Sequence, residues 1–351
     1  MPIVVNSNVT ATTASFNLSR ANDALRQSLS RLSSGNRIVN PSDDAGGMAV
    51  AYKLQSKLKR TEAVRQNIQN GISFLQVQDG ALSTMGKILD RMSELRTLAQ
   101  DITKNTMDVE NYSKEFLELQ IQLSQTYREK FNGISLFAVS AAPQVDNPLR
   151  PTMNKGRITN EEGVQVTIFS RTIHTNPSGQ TADGSVSVGV INLQNLFRLD
   201  GGLDNRYASE FRTNEGNSNL SASANLGDRI NLGNVNDINK TNYAATHTSI
   251  FTSAGFLKSI LFVSVGQFTK AIERLADARA ENGAEQARLG MANELLIQNQ
   301  TNLEAAYGRI MDADVALEST RFARQNVLVQ SSAAMVAQAN QLTSIALTIL
   351  G

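Results

Sequence analysis

Apolar side chains recur with a helical period at both ends of the chain. Close to the N-terminus they follow steps of three and four residues with one gap at Ser28: Ala11, Ala14, Leu18, Ala21, Leu25 and Leu32. In the last segment the steps are again multiples of a helical turn: Leu328, Met335, Ala339, Leu342, Ala346 and Ile349. Such spacing places apolar residues on one helix face. The pattern predicts an amphipathic helix at each end, the first closed by Gly35 as a C-cap.

Two inner segments carry apolar residues at intervals of seven. The first contains Ile68, Leu75, Leu82 and Leu89, widened by Met85, Met92 and Leu95, and the second contains Leu289, Leu296, Leu303 and Ile310. A heptad interval favours helices that pack against each other along a seam. We therefore predict one long helix over about 57–100, another through 268–310, and these two sets of heptad residues as the seam between them.

Shorter elements are predicted between the long helices. A third helix is expected over 112–129, and it should end before Phe131-Asn132-Gly133-Ile134, whose Asn-Gly pair favours a tight hairpin turn. Residues 164–168 and 186–190 alternate apolar and polar side chains, as half-buried strands do. Prolines at 143, 148 and 151 and ten Asn residues between 201 and 250 predict a loop-rich middle region.

These elements predict a mainly α fold. The N- and C-terminal regions would form a long antiparallel coiled-coil rod, and the middle would be a small outer insert rich in strands and loops. The terminal stripes use Ala as often as Leu, so each position buries little apolar area. Two lone helices of this kind are marginal in water, so we expect other copies of the chain to complete their packing.

Composition removes several classes of protein. Lys and Arg number 33 against 32 Asp and Glu, a balance that lacks the basic field of a nucleic-acid-binding protein. The absence of Cys excludes disulfides, thiol catalysis and thiolate metal sites. The chain has no apolar run of 18 residues and no basic residue before Arg20, so neither a membrane span nor a Sec-type signal peptide is expected. Taken alone, these features indicate a cytoplasmic protein.

Residues able to support catalysis or metal binding are sparse. The two histidines, His174 and His247, both lie in the middle region, and neither has a second His four residues away. We interpret both as surface-loop residues. Among the acidic pairs, Asp43-Asp44 is interpreted as part of a helix first turn, Asp312 and Asp314 as part of a joint between segments, and Glu161-Glu162 has no assigned role. No catalytic residue, cofactor site or metal site is predicted.

The strongest basic patch lies early in the first long helix. It consists of Lys53, Lys57, Lys59, Arg60 and Arg65, with Glu62 among them. A solvated or subunit-facing helix surface is the favoured interpretation. Binding to an anionic polymer is the alternative, although no aromatic platform accompanies these charges.

Motifs at both ends of the chain resemble those of one protein family. Residues 31–38 (Arg-Leu-Ser-Ser-Gly-Asn-Arg-Ile) and 43–49 (Asp-Asp-Ala-Gly-Gly-Met-Ala) closely resemble the N-terminal signature of bacterial flagellin. Residues 67–73 and 131–133 fit the same family, and 309–314 and 337–341 are similar to its C-terminal signature. The resemblance covers 1–137 and 256–351, and it includes several independent motifs in the family's order.

The resemblance implies a structural, non-enzymatic subunit of the flagellar filament. In the family, terminal helices stack into concentric tubes, and the variable insert faces the medium. Export proceeds through the flagellar type III apparatus, so the expected location is extracellular rather than cytoplasmic. The implied partners are other subunits, an export chaperone, and cap and hook-associated proteins. Neither a nucleic acid nor a membrane is an expected partner.

The resemblance also divides the chain into segments. Residues 1–41 and 313–351 would form the inner-tube domain, 42–137 with its hairpin and 256–312 the outer-shell rod, and 138–255 the exposed insert. The residues expected at the inner-tube interface between subunits are Leu18, Leu25, Leu32, Leu328, Met335, Leu342 and Ile349. Many family members have Pro where this chain has Thr343, so we expect a straighter last helix.

A second family site carries over in part. Flagellins recognised by a vertebrate innate receptor show a motif of the type Gln-Arg-x-Arg-Glu-Leu-Ala, and residues 90–96 here read Asp-Arg-Met-Ser-Glu-Leu-Arg. Arg91, Glu94 and Leu95 match the motif, whereas residues 90, 93 and 96 depart from it. Subunit packing alone is the favoured role, and receptor contact with weakened activation is the alternative.

Two other functions fit part of the pattern. A hook–filament junction protein shares similar terminal helices but forms only a thin ring. A flagellin-like scaffold that displays an adhesive or enzymatic insert is the second possibility, although no catalytic constellation supports an enzyme. The strong match at both ends, including residues 43–46, favours the filament subunit.

Overall fold

The structure is a computed structural model that describes residues 8–137, 153–159, 165–180, 184–197, 199, 232 and 252–350. Its helices are α1 (Val9–Ser34), α2 (Ala45–Leu98), α3 (Thr106–Thr126), a short α4 (Leu193–Leu196), α5 (Val265–Met311) and α6 (Val315–Leu350). Its strands are β1 (Lys130–Phe131), β2 (Ile134–Ser135), β3 (Met153–Thr159), β4 (Gln165–His174) and β5 (Ser185–Val190). The predicted mainly α fold, with helices of the terminal regions packing together, is confirmed.

Contacts divide the chain into two compact units. Unit 1 comprises Met1–Glu62 and Ile297–Gly351, and unit 2 comprises Ala63–Leu296. Unit 1 therefore contains α1, α6, the start of α2 and the end of α5. Unit 2 contains the rest of α2 and α5 together with α3, α4 and all five strands.

In unit 1, α1 and α6 form an antiparallel pair. The Asn8 side-chain amide donates to the carbonyl oxygen of Ala339 over 2.9 Å at one end, and Asn36 bridges Asp312 at the other. The predicted α1 stripe is confirmed as the more buried face, with Ala21 and Ser28 buried. As predicted, Gly35 ends the helix in the left-handed conformation, with φ at 70°.

The packed face of α6 matches the predicted stripe at Ala339 but differs from it by one position at Leu328 and Met335. Its buried and half-buried residues are Glu318, Phe322, Gln325, Val329, Ser332, Val336 and Ala339. Leu328 and Met335 lie beside this face and remain exposed. Apolar residues at 327–329 and 335–336 adjoin one another, so sequence spacing could not decide which of them faces α1. Helix α6 continues through Thr343 without a break, and the expectation that it is straighter than in family members with Pro there stays a prediction.

The core of unit 2 is shared by α2, α3 and α5. Arg279 of α5 pairs with Asp79 of α2 at 2.8 Å, and Asn282 donates to the carbonyl of Leu75. The later residue of α5 faces the earlier residue of α2, so the two helices are antiparallel. Phe116 of α3 packs edge-on against Phe268 of α5. Leu75, Leu82, Leu89, Met85 and Met92 are fully buried in this core. The long helix α2 begins at residue 45, earlier than predicted, and ends near the predicted boundary.

Buried amide side chains fix the chain on both sides of the middle region. Gln78 donates to the carbonyl of Leu136 over 2.9 Å and accepts from Asn282 over 2.8 Å. Gln120 donates to the carbonyl of Leu257 and accepts from its N–H, over 2.9 and 3.1 Å. The two amides thereby supply hydrogen-bond partners to the backbone at Leu136 and Leu257, which lie outside helices and strands.

Helix α3 was predicted too late in the sequence. Its N-cap is Asn105, whose side chain accepts from the N–H of Asp108 while the Asp108 carboxylate accepts from the N–H of Asn105. This capping box was a readable signal that the periodicity argument overlooked. The predicted hairpin is confirmed, with β1 paired to β2 and positive φ at Asn132 and Gly133.

A three-stranded antiparallel sheet in the order β3-β4-β5 lies in the middle of the chain. Strands β4 and β5 confirm the two predicted strands, whereas β3 was not predicted. The sheet contacts α5, because Glu285 accepts from the N–H of Gly189 over 2.7 Å. It also contacts the hairpin, because Arg171 donates to the carbonyl of Ser135 over 2.8 Å. Most of the Asn-rich stretch lies outside the described residues.

Candidate self-assembly surface

Helices α1 and α6 leave apolar side chains exposed on faces that they do not use to pack against each other. On α1 these residues are Val9, Phe16 and Leu29, and on α6 they are Val315, Leu317, Val327, Leu328 and Met335. Leu328 is 47% exposed and Met335 57%. Each such side chain gains about 1.5–3 kcal/mol when it is moved from water into an apolar contact. The pair therefore presents a surface that burial against another molecule would stabilise.

The predicted inner-tube residues fall into three groups. Leu18, Leu25 and Leu32 are half-buried on the α1 face, whereas Leu328 and Met335 are exposed on α6. Leu342 and Ile349 lie on α6, but their side chains are outside the described part of the structure. Assignment of these residues to an interface between copies stays a prediction.

The C-terminal part of α6 carries no formal charge. Arg324 is the last Asp, Glu, Lys or Arg in the sequence. Desolvation of charged side chains opposes the burial of most surface helices. This segment can be buried on all sides without that cost, because it has no charged side chain. Its remaining polar groups are amides and hydroxyls, which neighbouring helices can satisfy.

The two linkers that join α1 to α2 and α5 to α6 bind each other. Ala313 donates its N–H to the carbonyl of Gly35 over 2.9 Å, and Arg37 donates its backbone N–H to the carbonyl of Met311. The Arg37 guanidinium also donates to the carbonyl of Ile310 at 3.0 Å, near the end of α5. These contacts satisfy carbonyl groups that a helix end leaves without partners.

Acidic residues stabilise both linkers by accepting hydrogen bonds from backbone N–H groups. Asp314 lies at the joint, as predicted, and accepts from the N–H of Leu317 at the start of α6. The interpretation of Asp43 and Asp44 as first-turn residues is wrong, because α2 begins at Ala45. Asp44 is instead its N-cap and accepts from the N–H of Gly47 over 2.8 Å.

The side chain of Asp43 closes the turn before α2. Its carboxylate accepts from the N–H groups of Asn40 and Val39, both over 3.1 Å, and from the side chain of Gln27 over 2.9 Å. These hydrogen bonds, with those from Asn40 and Val39 the largest contributions, hold the pKa of Asp43 below its ordinary value. The hydrogen bond from Gln27 ties the turn to α1.

The predicted rod seam is distributed over both units. In unit 2, Ile68, Leu75, Leu82, Leu89, Leu289 and Leu296 are buried. In unit 1, Leu303 and Ile310 are half-buried, and Ile310 packs against a small cluster of Ile38, Ala51 and Met311. Except for Leu303, which is half-buried outside both clusters, these heptad residues pack in intrachain cores and are not available as an interface between copies.

The residues that match the receptor motif do not share one surface. Arg91 pairs with Glu115 at 2.7 Å and with Glu94 at 2.8 Å, and all three side chains are exposed. These contacts, that to Glu115 first, raise the pKa of Arg91. Leu95 is fully buried, so the prediction of Leu95 as a receptor contact is wrong. Its heptad neighbours had already placed it on the apolar face of α2.

Arg96 is a buried residue that the sequence pattern did not single out. It departs from the receptor motif, is 1% exposed, and donates to the carbonyl of Val263. The guanidinium thus anchors the segment that precedes α5. The position of Arg96 beside the apolar stripe of α2 could have indicated a buried cation that binds a backbone carbonyl.

No site for metal chemistry is found in the part of the chain that the structure describes. Its residues contain no group of three His, Asp or Glu side chains positioned to hold an ion. The interpretation of His174 as a surface-loop residue is wrong, because it is the last residue of β4 and is half-buried, and His247 is outside the described residues. None of the described helices is long and apolar enough to cross a membrane.

Comparison with known families accounts for both helical regions. Residues 5–142 match the model of the bacterial flagellin N-terminal helical region, and residues 265–349 match that of the C-terminal helical region. Together the two matches cover more than half of the chain. The chain belongs to the bacterial flagellin family. It is a structural subunit of the flagellar filament, which lies outside the cell.

Relatives of this flagellin match it over nearly their full length. The flagellin of Bacillus subtilis is 28% identical over 96% of each chain. The flagellar filament 33 kDa core protein of Treponema phagedenis is 26% identical over 99% of this chain and all of its own. A solved flagellar hook-associated protein from Vibrio parahaemolyticus has a TM-score of 0.49 and 15% identity, covering 77% of this chain and 100% of its own.

Proposed function

We propose that α1 and α6 are the assembling part of this flagellin, and that their exposed apolar side chains become buried between copies. The observation that carries the proposal is the apolar surface that this helix pair leaves uncovered, on a segment without charge after Arg324. An isolated antiparallel pair of Ala-rich helices is only marginally stable. Packing against further copies would supply the missing burial.

The proposal extends to the other segments. Residues 1–41 and 313–351 would line the inner tube, 42–137 and 256–312 the outer shell, and 138–255 would face the medium. The subunit would leave the cell unfolded through the flagellar export apparatus. Its partners would be an export chaperone, the filament cap and hook-associated proteins, and it would carry out no enzymatic reaction and bind no cofactor.

Removal of residues 330–351 tests the proposal. We expect the truncated chain to form no filaments, because it loses Met335 and most of the charge-free part of α6. Unit 2 should keep its fold, since it draws on no residue beyond Leu296. Sedimentation and electron microscopy measure assembly, and circular dichroism measures the remaining helix.

A deletion of matched length provides the control. Removing residues 208–229 from the Asn-rich stretch eliminates the same number of residues and none of α1 or α6. We expect this variant to assemble. Filaments formed by the chain truncated at residue 329 would refute the assignment of α6.

We also propose that Arg91 and Glu94 offer a weak contact to the innate receptor when the subunit is monomeric. Both side chains are exposed, but Arg91 is already paired with Glu115 and Glu94, so receptor binding must compete with these ion pairs. Activation should therefore be weaker than for a flagellin that matches the whole motif.

A reporter-cell assay on monomeric protein tests this contact. Arg91→Ala should lower the potency by about tenfold, the usual effect of removing an Arg from the centre of an interface. Lys114→Ala, which removes an exposed cation from the neighbouring helix α3, should leave it unchanged. Equal responses from the unchanged chain, Arg91→Ala and a fully matching flagellin would eliminate the site.

A further inference from the structure

Three cations form a stripe along one face of the first part of α2. Lys53, Lys57 and Arg60 are exposed and follow the spacing i, i+4, i+7, so they lie above one another on the helix. The Arg60 Nε–H donates only to the backbone carbonyl of Ser56. Among the residues that the structure describes, none of the three cations forms an ion pair. We refer to them as the basic stripe.

Three carboxylates form an equivalent stripe on the first part of α5. Glu273, Asp277 and Glu281 are exposed and follow the spacing i, i+4, i+8. None of them pairs with a cation within the described ranges, although Arg279 nearby pairs with Asp79. Lys270 and Arg274 each lie three residues before one of these carboxylates, and both cations have interactions of their own. We refer to these three carboxylates as the acidic stripe.

The basic stripe is unfavourable in an isolated chain. Like charges at i and i+4 destabilise a helix by a few tenths of a kcal/mol per pair, and no acidic residue lies three or four positions from any of the three cations. Helix α3 carries opposite charges at the same spacing, in the pair of Glu110 and Lys114 at i and i+4. Carboxylates from outside the chain would convert the repulsion within the basic stripe into attraction.

We infer that the basic stripe of one copy binds the acidic stripe of another copy in the filament. The stripes match in number of charges and in length, about 10 Å for the basic one and about 12 Å for the acidic one at the rise of an α-helix. This inference rests on the proposed polymerisation, and it assigns a specific pair of surfaces to it.

The arrangement also explains why the contact extends a polymer. The two stripes are different surfaces of the same chain, so a contact between them is head-to-tail. A head-to-tail contact that does not close into a ring generates an open helical filament, whereas a self-complementary surface stops at a dimer. Each added copy leaves one free stripe of each sign for the next.

Charge reversal with rescue tests the contact. The first variant combines Lys53→Glu, Lys57→Glu and Arg60→Glu, and the second combines Glu273→Lys, Asp277→Lys and Glu281→Lys. At about 0.05 M salt, where surface charges are weakly screened, each variant should raise the critical concentration for assembly about tenfold or more. The chain that carries all six changes should return to the level of the unchanged protein.

Mixing the two triple variants adds an independent prediction. Each variant alone presents two stripes of the same sign, but an equimolar mixture offers opposite stripes in every contact between unlike chains. We expect the mixture to sediment as filaments under conditions in which neither component does. Lys59→Glu is the control, because Lys59 is exposed on another side of the same helix, about a third of a turn from the basic stripe, and its change should have no effect.

The outcomes separate this contact from the proposed function. If the unchanged chain and Lys59→Glu fail to polymerise, the proposed function is wrong. If they polymerise and the triple variants do so equally well, only the stripe contact is overturned. Failure of the variant with all six changes to recover assembly would also overturn the stripe contact. A third result would overturn it as well: immobilised polyglutamate retains the unchanged chain through the basic stripe, while the triple variants assemble normally. That result would indicate an anionic polymer as the partner of the basic stripe.

Discussion

Leu328→Asp combined with Met335→Asp should abolish filament formation. Both side chains are exposed in the single chain, so the substitutions remove no intrachain core contact. In the assembled state each would place a carboxylate in an apolar contact. The lost burial amounts to about 1.5–3 kcal/mol per side chain, and the effective desolvation of each carboxylate costs several kcal/mol more. The critical concentration should therefore rise by more than about three orders of magnitude.

Ile102→Asp is the matched control for this pair. Ile102 lies between α2 and α3 and is 98% exposed. Its substitution also replaces an exposed apolar side chain by a carboxylate, but outside α1 and α6. We expect it to assemble like the unchanged chain. Sedimentation across a concentration series gives the critical concentration of each variant. If the double variant assembles as well as Ile102→Asp does, the exposed face of α6 is not part of the interface.

Phe116→Ala should destabilise unit 2 by about 3–5 kcal/mol. The side chain is fully buried, lies edge-on to Phe268 with the ring centroids 6.3 Å apart, and connects α3 to α5. Truncation removes a large apolar group and leaves a cavity, which neighbouring helices fill only in part. The edge-on ring contact adds to the loss. Chemical denaturation of the monomer measures the free energy of unfolding directly.

Met107→Ala tests whether this loss depends on burial. Met107 is 64% exposed on the first turn of the same helix, so its truncation should change the free energy of unfolding by less than about 0.5 kcal/mol. If Phe116→Ala and Met107→Ala had equal effects, α3 would not share a core with α5. The claim that three helices form one core would then fail.

The helical part of this fold could be predicted because its signals are periodic and long. The heptads that contain Leu75 and Leu289 identified two helices that do pack antiparallel. Gly35 and the Asn132-Gly133 pair marked a cap and a turn because few other residues adopt their backbone conformation. The start of α3 was missed because its signal is a side-chain capping box, not a hydrophobic period.

The candidate surface was harder to predict than the fold. On α6 the apolar residues at 327–329 adjoin one another, so periodicity does not reveal which one packs against α1 and which stays exposed. Only the register of the pair, fixed by contacts such as Asn8 to Ala339, makes that distinction. Likewise, Leu95 matched a sequence motif for binding but lies in the core, because a motif carries no information on burial.

The central claim is that copies of this chain polymerise through surfaces that the single chain leaves uncovered. Negative-stain electron microscopy of the purified protein, as monomer and after seeding at high salt, tests it most directly. We expect separate monomers before seeding and long, uniform filaments afterwards. Seeded protein that stays monomeric, or that stops at short rings as a junction protein would, contradicts it.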